Sequence, residues 1–433
     1  MHQLTRRTAL AVGAAAFGAP RAFARSSGLS PEGLAGAKAV TEAAVANGDV
    51  PGVVSLIWRR GEIVQLNTVG FRNIERRLPM ERSTIFRIAS MSKPITVAAA
   101  LMLVEDGRIR LSDPITRWAP EFAQMRVLRR ADGPLDDTYP APRVITIEDL
   151  MTHRSGLSYS FLAQGPLAGA LQAKVGMGLE SSLSPDAWMK TMAALPLAYA
   201  PGERFNYGHS IDVLGFIVGR AAGTSLRQVL MERMFGPLGM TDTDFWVPPD
   251  KRDRLVTPYL SPSPGHFAPL PTPSFVGAGP PAYTSGGQGL VSTVDDYLTF
   301  ARLLVGKGEV NGKRLLRPQS VRLMTTDHLT AAQRQIPTFV ANWKTQGFGL
   351  GMSVVRDPKA YAAAGQGAGS AGAFGWPGLF GGWWQGDPAQ DMITIWLPEV
   401  LPGAPGKDGK LPRLPGMKAA AEFQTRAYEG LAV

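Results

Sequence analysis

Ser90 and Lys93 stand three residues apart in Ser90-Met91-Ser92-Lys93, at the head of a helical pattern that runs to Asp106. Three residues is close to one helical turn, so both side chains project from one face. A serine hydroxyl is a weak nucleophile until a base takes its proton. A lysine one turn away serves as that base when burial or nearby positive charge keeps its amine neutral. The chain holds no other S-x-x-K. The same residues also fit an ordinary helix start, with Ser90 as N-cap and Lys93 as a solvated first-turn charge.

Tyr207 and His209 are the next candidates, in Pro201-Gly-Glu-Arg-Phe-Asn-Tyr207-Gly-His209. Tyr207 falls in a loop just before a helix. Its phenol could exchange protons with Ser90 if Lys93 lowered its pKa. Alternatively, the ring packs with its hydroxyl satisfied. His209 reads either as a donor lining the site or as a capping or surface histidine.

The third candidate is Gly375-Trp376-Pro377-Gly378-Leu379. Acyl transfer needs two backbone N–H groups aimed at the developing oxyanion. The amide of Ser90, at its helix N-terminus, is one. The amide of Leu379 is the other, on an expected exposed edge strand that Pro377 would suit. A glycine- and aromatic-rich strand end without a catalytic part is the plainer alternative.

Other chemistries are disfavoured. Gly367-Ala-Gly369-Ser-Ala-Gly372 matches G-x-G-x-x-G but has no clear strand before it or helix after it. No G-x-S-x-G nucleophile elbow is present. The five histidines lack metal-binding spacing, and no cysteine is available for thiolate chemistry or Cys-ligated zinc. No metal and no cofactor is expected. The net charge is +10, but the basic residues are scattered without interleaved aromatics. Nucleic acid is therefore not an expected partner.

The positioning elements follow from apolar periodicity. A helix is expected over 31–47, a hairpin from runs 53–58 and 63–69, and the Ser90 helix after it. Short helices such as 210–222 and 226–234 fill the middle, with an irregular proline-rich stretch over 257–281. A helix starts after Thr293. Strands return at 347–355, 379–385 and 392–397, and a helix closes the chain over 417–428. The expected fold is mixed α/β (α+β): a mainly antiparallel sheet built from both ends, flanked by helices. The sheet lobe takes residues of about 25–109 and 286–433, and the inserted helical lobe about 110–285. A substrate cleft is expected between the lobes.

The first 24 residues read as an export signal. Thr5-Arg6-Arg7 precedes a short Ala/Gly-rich apolar run and then Ala22-Phe23-Ala24. Paired arginines resemble a twin-arginine signal, although Ala9 sits where such signals often carry Phe, which leaves the Sec route open. Cleavage is expected after Ala24, with a periplasmic or secreted product. No other segment reads as transmembrane.

In order, these pieces resemble the serine β-lactamase and penicillin-binding-protein superfamily. The likeness is to the class C β-lactamase-like branch, with its class VIII carboxylesterases and related acyltransferases. It covers most of the mature chain. It is carried by Phe86-Arg-Ile-Ala-Ser90-Met-Ser-Lys93, Leu150-Met-Thr-His153-Arg-Ser-Gly-Leu157, and Pro201-Gly202 with Phe205 and Tyr207. Ser285-Gly-Gly-Gln-Gly-Leu-Val-Ser-Thr-Val-Asp-Asp-Tyr297 and Gly347-Phe-Gly-Leu-Gly351 complete it.

The resemblance implies Ser90 as the acylated nucleophile and Lys93 as base partner that also lowers the Tyr207 pKa. Tyr207 would shuttle the proton, and the amides of Ser90 and Leu379 would form the oxyanion hole. Trp376, Pro377 and Gly378 would take the K-T-G strand, so Trp376, Gly378 and His209 would meet substrate. His209 replaces the Asn of Tyr-x-Asn, and Trp376-Pro377 replaces Lys-Thr. The second change removes a cation and a hydroxyl that bind the carboxylate of β-lactams. The implied activity is hydrolysis of a small-molecule ester. The alternatives are a β-lactamase, a D-amino-acid peptidase or acyltransferase of the same fold, and a non-catalytic envelope binding homologue.

Overall fold

The computed structural model describes residues 28–271, 277, 279–336, 341–403 and 414–431. The export segment read over 1–24 lies outside them. Strand β1 (Gly52–Arg59) is buried along its whole length. Arg60 and Gly61, at φ 49° and 91°, turn it into β2 (Glu62–Asn73). Positive φ at both turn residues is the two-residue hairpin geometry that matches strand twist. A short β3 (Leu78–Pro79) follows.

The C-terminal part supplies β4 (Gln346–Phe348), β5 (Ser353–Val355), β6 (Phe374–Gly375), β7 (Trp383–Asp387) and β8 (Met392–Leu397). The eight strands lie in the order β4-β5-β6-β7-β8-β1-β2-β3, and every pairing is antiparallel. The two ends of the chain meet at β1–β8, in the register Val54↔Leu397.

Alternation along β1 sorts its side chains. Val53 and Ile57 pack with Trp383, Trp396 and Phe423 under helices α1 (Pro31–Ala46) and, later in the chain, α5 (Met417–Glu429). Val54 and Leu56 join Trp384 and Ile395 in the main core on the other face. That core is covered by α2 (Ser92–Glu105) and α4 (Val294–Val305), and it continues into the central helical region. There α3 (Ser210–Ala222) packs against α2. Both faces of the sheet are therefore covered, which is why β1 and β8 read as continuous apolar runs. Among the described residues no helix is long and apolar enough to cross a membrane.

Three expected elements differ. The strand expected over 347–355 is the antiparallel hairpin β4–β5, turned near Gly351 at φ 81°. Tyr259–Ser263 and His266–Pro269 pair as a bulged hairpin inside the proline-rich stretch, and Val400–Pro402 adds in parallel. The Tyr259 hydroxyl accepts from the Ile74 amide at 2.7 Å and donates to Glu75 at 2.7 Å, which ties this small sheet to the body. Prolines are tolerated there because Pro269 and Pro402 lie on the outer strands, and Pro262, on the middle one, falls at the bulge. The strand expected over 379–385 begins only at Trp383. Gly378 N–H bonds Gly382 O at 2.7 Å and Gly381 takes φ 82°, so this glycine-rich segment turns before the strand starts.

Candidate active site

The helix carrying Lys93 is apolar around its circumference, and all its residues from Ser92 to Leu103 are buried. Such a helix belongs to a core, not a surface. Lys93 is consequently 0% exposed. Ser90 lies just before α2 in a 3₁₀ turn, Ala89–Met91, rather than in the first α-turn as expected. Ala89 holds φ 43°, which costs a non-glycine residue on the order of 1 kcal/mol and is a strain typical of functional turns. The turn is tied down by Ile88 N–H to Leu290 O at 3.1 Å and Leu290 N–H to Ser92 Oγ at 3.2 Å.

Tyr207 leads into α3. Its loop is pinned by Asn206 N–H to His153 O at 2.7 Å and by Asn206 Nδ2 to Leu157 O at 2.9 Å. Gly208 fits because a Cβ there would come 2.1 Å from Leu157 O. The 150–157 motif thus acts as the seat of the tyrosine loop. A third segment, around Gly286, wedges between α2 and α3, with Thr96 Oγ1 donating to Gly286 O at 2.7 Å. Any side chain at Gly286 would collide with Ile211 O at 2.7 Å.

These three supports bring Ser90, Lys93 and Tyr207 together. Lys93 Nζ is 3.0 Å from Ser90 Oγ and donates to Gly287 O at 2.9 Å. The Tyr207 hydroxyl donates to Ser90 Oγ at 2.8 Å. Trp376 Nε1 donates to the Tyr207 hydroxyl at 3.0 Å. Ser90, Tyr207, Trp376, Gly378 and Leu379 all line one cavity of about 980 Å³. Gly378 lies close under the Ser90 turn, where an added Cβ would fall 2.7 Å from Ile88 O. The amides of Ser90 and Leu379 donate to no described residue and so are available to a ligand. Leu379 sits in a turn after β6 rather than on an edge strand.

His209 is placed differently from the other candidates. It is fully buried, with its ring against Tyr159 and Trp188, and it does not line the cavity. Its Nδ1 is 2.9 Å from Asp212 Oδ2. Asp212 is the residue the sequence reading missed. It is 0% exposed and gathers donors from His209, Tyr159 (3.3 Å), Ser285 and the Gly287 amide (3.1 Å). Its available signal was an acid in the first helical turn, three residues after a histidine.

The electrostatics follow from burial. Burial pushes Lys93 down from an ordinary 10.5 to about 7, with the Asp212 charge pulling the other way. Burial raises Asp212, but the His209 hydrogen bond, the charges of His209 and Lys93 and the Ser285 hydroxyl together hold its carboxyl below the usual range. His153 stays neutral because burial, and then Lys93, depress it. Tyr207 runs against expectation. Burial raises its phenol, and the hydrogen bonds with Ser90 and Trp376 offset only part of that. The resting site therefore holds a neutral phenol and an amine that loses its proton near neutrality, so the amine is the group able to accept the Ser90 proton.

A pH profile checks this. The groups facing Lys93 are Ser90, the rings of Tyr159 and Tyr207, Asp212 and His153, which burial and the lysine hold neutral, so only the amine is poised near neutral pH. Turnover should rise as pH rises through about 7 and then level. A profile flat between pH 5 and 9 would remove the neutral-amine account. The linked stability has the same sign. Between about 7 and 10.5 the unfolded lysine holds a proton that the folded one lacks, so this group's contribution to stability rises with pH across that window.

The family model described as Beta-lactamase matches residues 37–412. Protein Rv1367c of Mycobacterium tuberculosis (strain ATCC 25618 / H37Rv) is 45% identical over 391 residues, which is 89% of this chain and 96% of that protein. Esterase EstB of Burkholderia gladioli is 32% identical over 379 residues, covering 83% and 88% of the two chains. The solved structure of EstCE1, a hydrolase with promiscuous acyltransferase activity, superposes with TM-score 0.74 at 27% identity, over 92% of this chain and 98% of that one. The fold and the matched residues make the protein a serine hydrolase; the chain belongs to the beta-lactamase family.

Proposed function

We propose that the protein is an exported carboxylesterase that works through an acyl-enzyme on Ser90. The observation that carries this is the meeting of Ser90 Oγ with Lys93 Nζ at 3.0 Å and the Tyr207 hydroxyl at 2.8 Å on the wall of an open cavity. Neutral Lys93 takes the Ser90 proton as Oγ attacks the ester carbonyl. The negative charge that forms on the carbonyl oxygen is held by the amides of Ser90 and Leu379. Tyr207 gives its proton to the leaving alkoxide and regains one from the Lys93 ammonium. Water then attacks the acyl carbonyl as the same pair takes its proton; the bond to Ser90 Oγ breaks, the acid leaves, and the pair returns that proton to Oγ. The tripartite N-terminus supports export to the periplasm or beyond.

His209 acts through Asp212 in this reading rather than on substrate. Asp212 fixes the Gly287 turn, and that turn orients the lysine. Trp376 and Gly378 wall the cavity beside the reacting ester. Among the described cavity residues Lys418 is the one ionic group, and Trp376 stands where the resemblance expects a lysine. A β-lactam carboxylate would therefore forgo charge-assisted contacts worth about 1.5–3 kcal/mol each. An ester loses nothing. The name of Burkholderia gladioli EstB supports the same choice.

The purified mature protein should turn over p-nitrophenyl butyrate with kcat/KM at least about 10²-fold above that for a chromogenic cephalosporin. Equal or reversed efficiencies would favour the lactamase reading, and preferential cleavage of D-Ala-terminated peptides would favour a peptidase. Acyl transfer is the second reading, supported by the promiscuous acyltransferase activity in the description of EstCE1. Formation of a new ester when an alcohol is added would select it.

A further inference from the structure

We propose that the non-reacting arm of the substrate is a long, uncharged aliphatic chain that leaves Ser90 past the 376–379 loop and ends against the first turns of α5. This rests on the esterase reading and narrows its substrate class. The cavity is large for a simple acetate: about 980 Å³, at the upper end of small-molecule sites. Its wall draws on distant parts of the chain, and apolar side chains come from several of them. Phe161 and Met177 come from the helical region, Pro377 and Leu379 from the loop beside Ser90, and Met417 and Ala421 from α5.

The polar groups along the wall are largely occupied by each other. Thr345 Oγ1 donates to Gln366 Oε1 at 2.6 Å, Gln366 Nε2 reaches Gln346 Oε1 at 3.4 Å, and Gln346 Nε2 reaches Ser353 Oγ at 3.4 Å. They make little demand on a ligand. The single ionic group among the described lining residues, Lys418, is exposed. A charged or strongly polar arm laid along this wall would lose water and gain few partners. A methylene chain loses nothing there, and each buried methylene is worth about fourfold in binding. The lining also includes small residues, Ala420 and Ala421 on α5 and, at the exposed rim, Ala364 and Gly365, which leave room for a chain end.

The test is a chain-length series in two arms: p-nitrophenyl esters from acetate to decanoate, and alkyl acetates from ethyl to decyl. In one arm kcat/KM should climb with length, by on the order of 10² from the shortest to the longest. Ala421→Trp and Ala364→Trp, each placing an indole among these small lining residues, should cut the long-to-short ratio at least about tenfold. The ratio is read within each variant, so a general loss of activity does not imitate the effect. A wild type that hydrolyses the short esters with no gain in either arm overturns this inference and leaves the esterase reading standing. So does a ratio unchanged in both variants. A wild type that hydrolyses no ester at all overturns the esterase reading itself.

Discussion

Lys93→Ala should lower the rate of Ser90 acylation by about 10²–10⁴, the range for lost general-base help. The substitution removes the amine that sits 3.0 Å from Ser90 Oγ. It also leaves Gly287 O without its donor and takes away the cation that faces Asp212. Lys93→Met keeps the apolar volume of the side chain while removing the base, so a loss shared by both variants does not come from the emptied space. Lys93→Arg should rescue nothing, since a guanidinium does not deprotonate at working pH. Pre-steady-state release of p-nitrophenol measures acylation directly. A burst rate within about threefold of wild type in both Lys93→Ala and Lys93→Met would assign the base elsewhere.

Tyr207→Phe carries the second large effect, and its size should depend on the leaving group. The phenol is held neutral by burial, so its part is to donate a proton. An alkoxide leaving group needs that proton; p-nitrophenolate does not. Hydrolysis of an ethyl ester should therefore fall by about 10²–10⁴, and that of the matching p-nitrophenyl ester by much less. The variant also strands the buried indole N–H of Trp376, whose hydrogen bond to the phenol is 3.0 Å long. An unsatisfied buried donor costs about 1–3 kcal/mol, so a lowered Tm should accompany the kinetic change. Equal losses on both esters would mean that Tyr207 positions Ser90 and gives no proton to the leaving group.

Much of this site was legible because it is local. Ser90 and Lys93 are one turn apart, so their meeting follows from helical geometry alone. The sheet was legible from the all-buried runs of β1 and β8, which have no other way to hide both faces. What escaped depends on contacts between distant segments. Asp212 becomes a buried hub only because Ser285 and Gly287 arrive from more than seventy residues downstream. His209 reads in the sequence as a site-lining donor or as a capping or surface histidine, yet the packing of α3 turns its ring inward toward that carboxylate. The raised phenol of Tyr207 reflects enclosure by aromatic neighbours, with His153 at 4.7 Å and Trp376 at 5.5 Å between ring centroids, which no local pattern encodes. The 259–269 hairpin was hidden by its prolines, which its bulge and its outer strand accommodate.

One experiment reaches the central claim directly. Acid quenching of the protein during turnover of a slowly deacylated ester, followed by peptide mapping, locates the covalent acyl group. The mass of that group should be found on the peptide containing Ser90 and absent from the Ser90→Ala protein, which should no longer hydrolyse the ester. An acyl group on a different residue, or ester hydrolysis that survives in Ser90→Ala, would contradict the account.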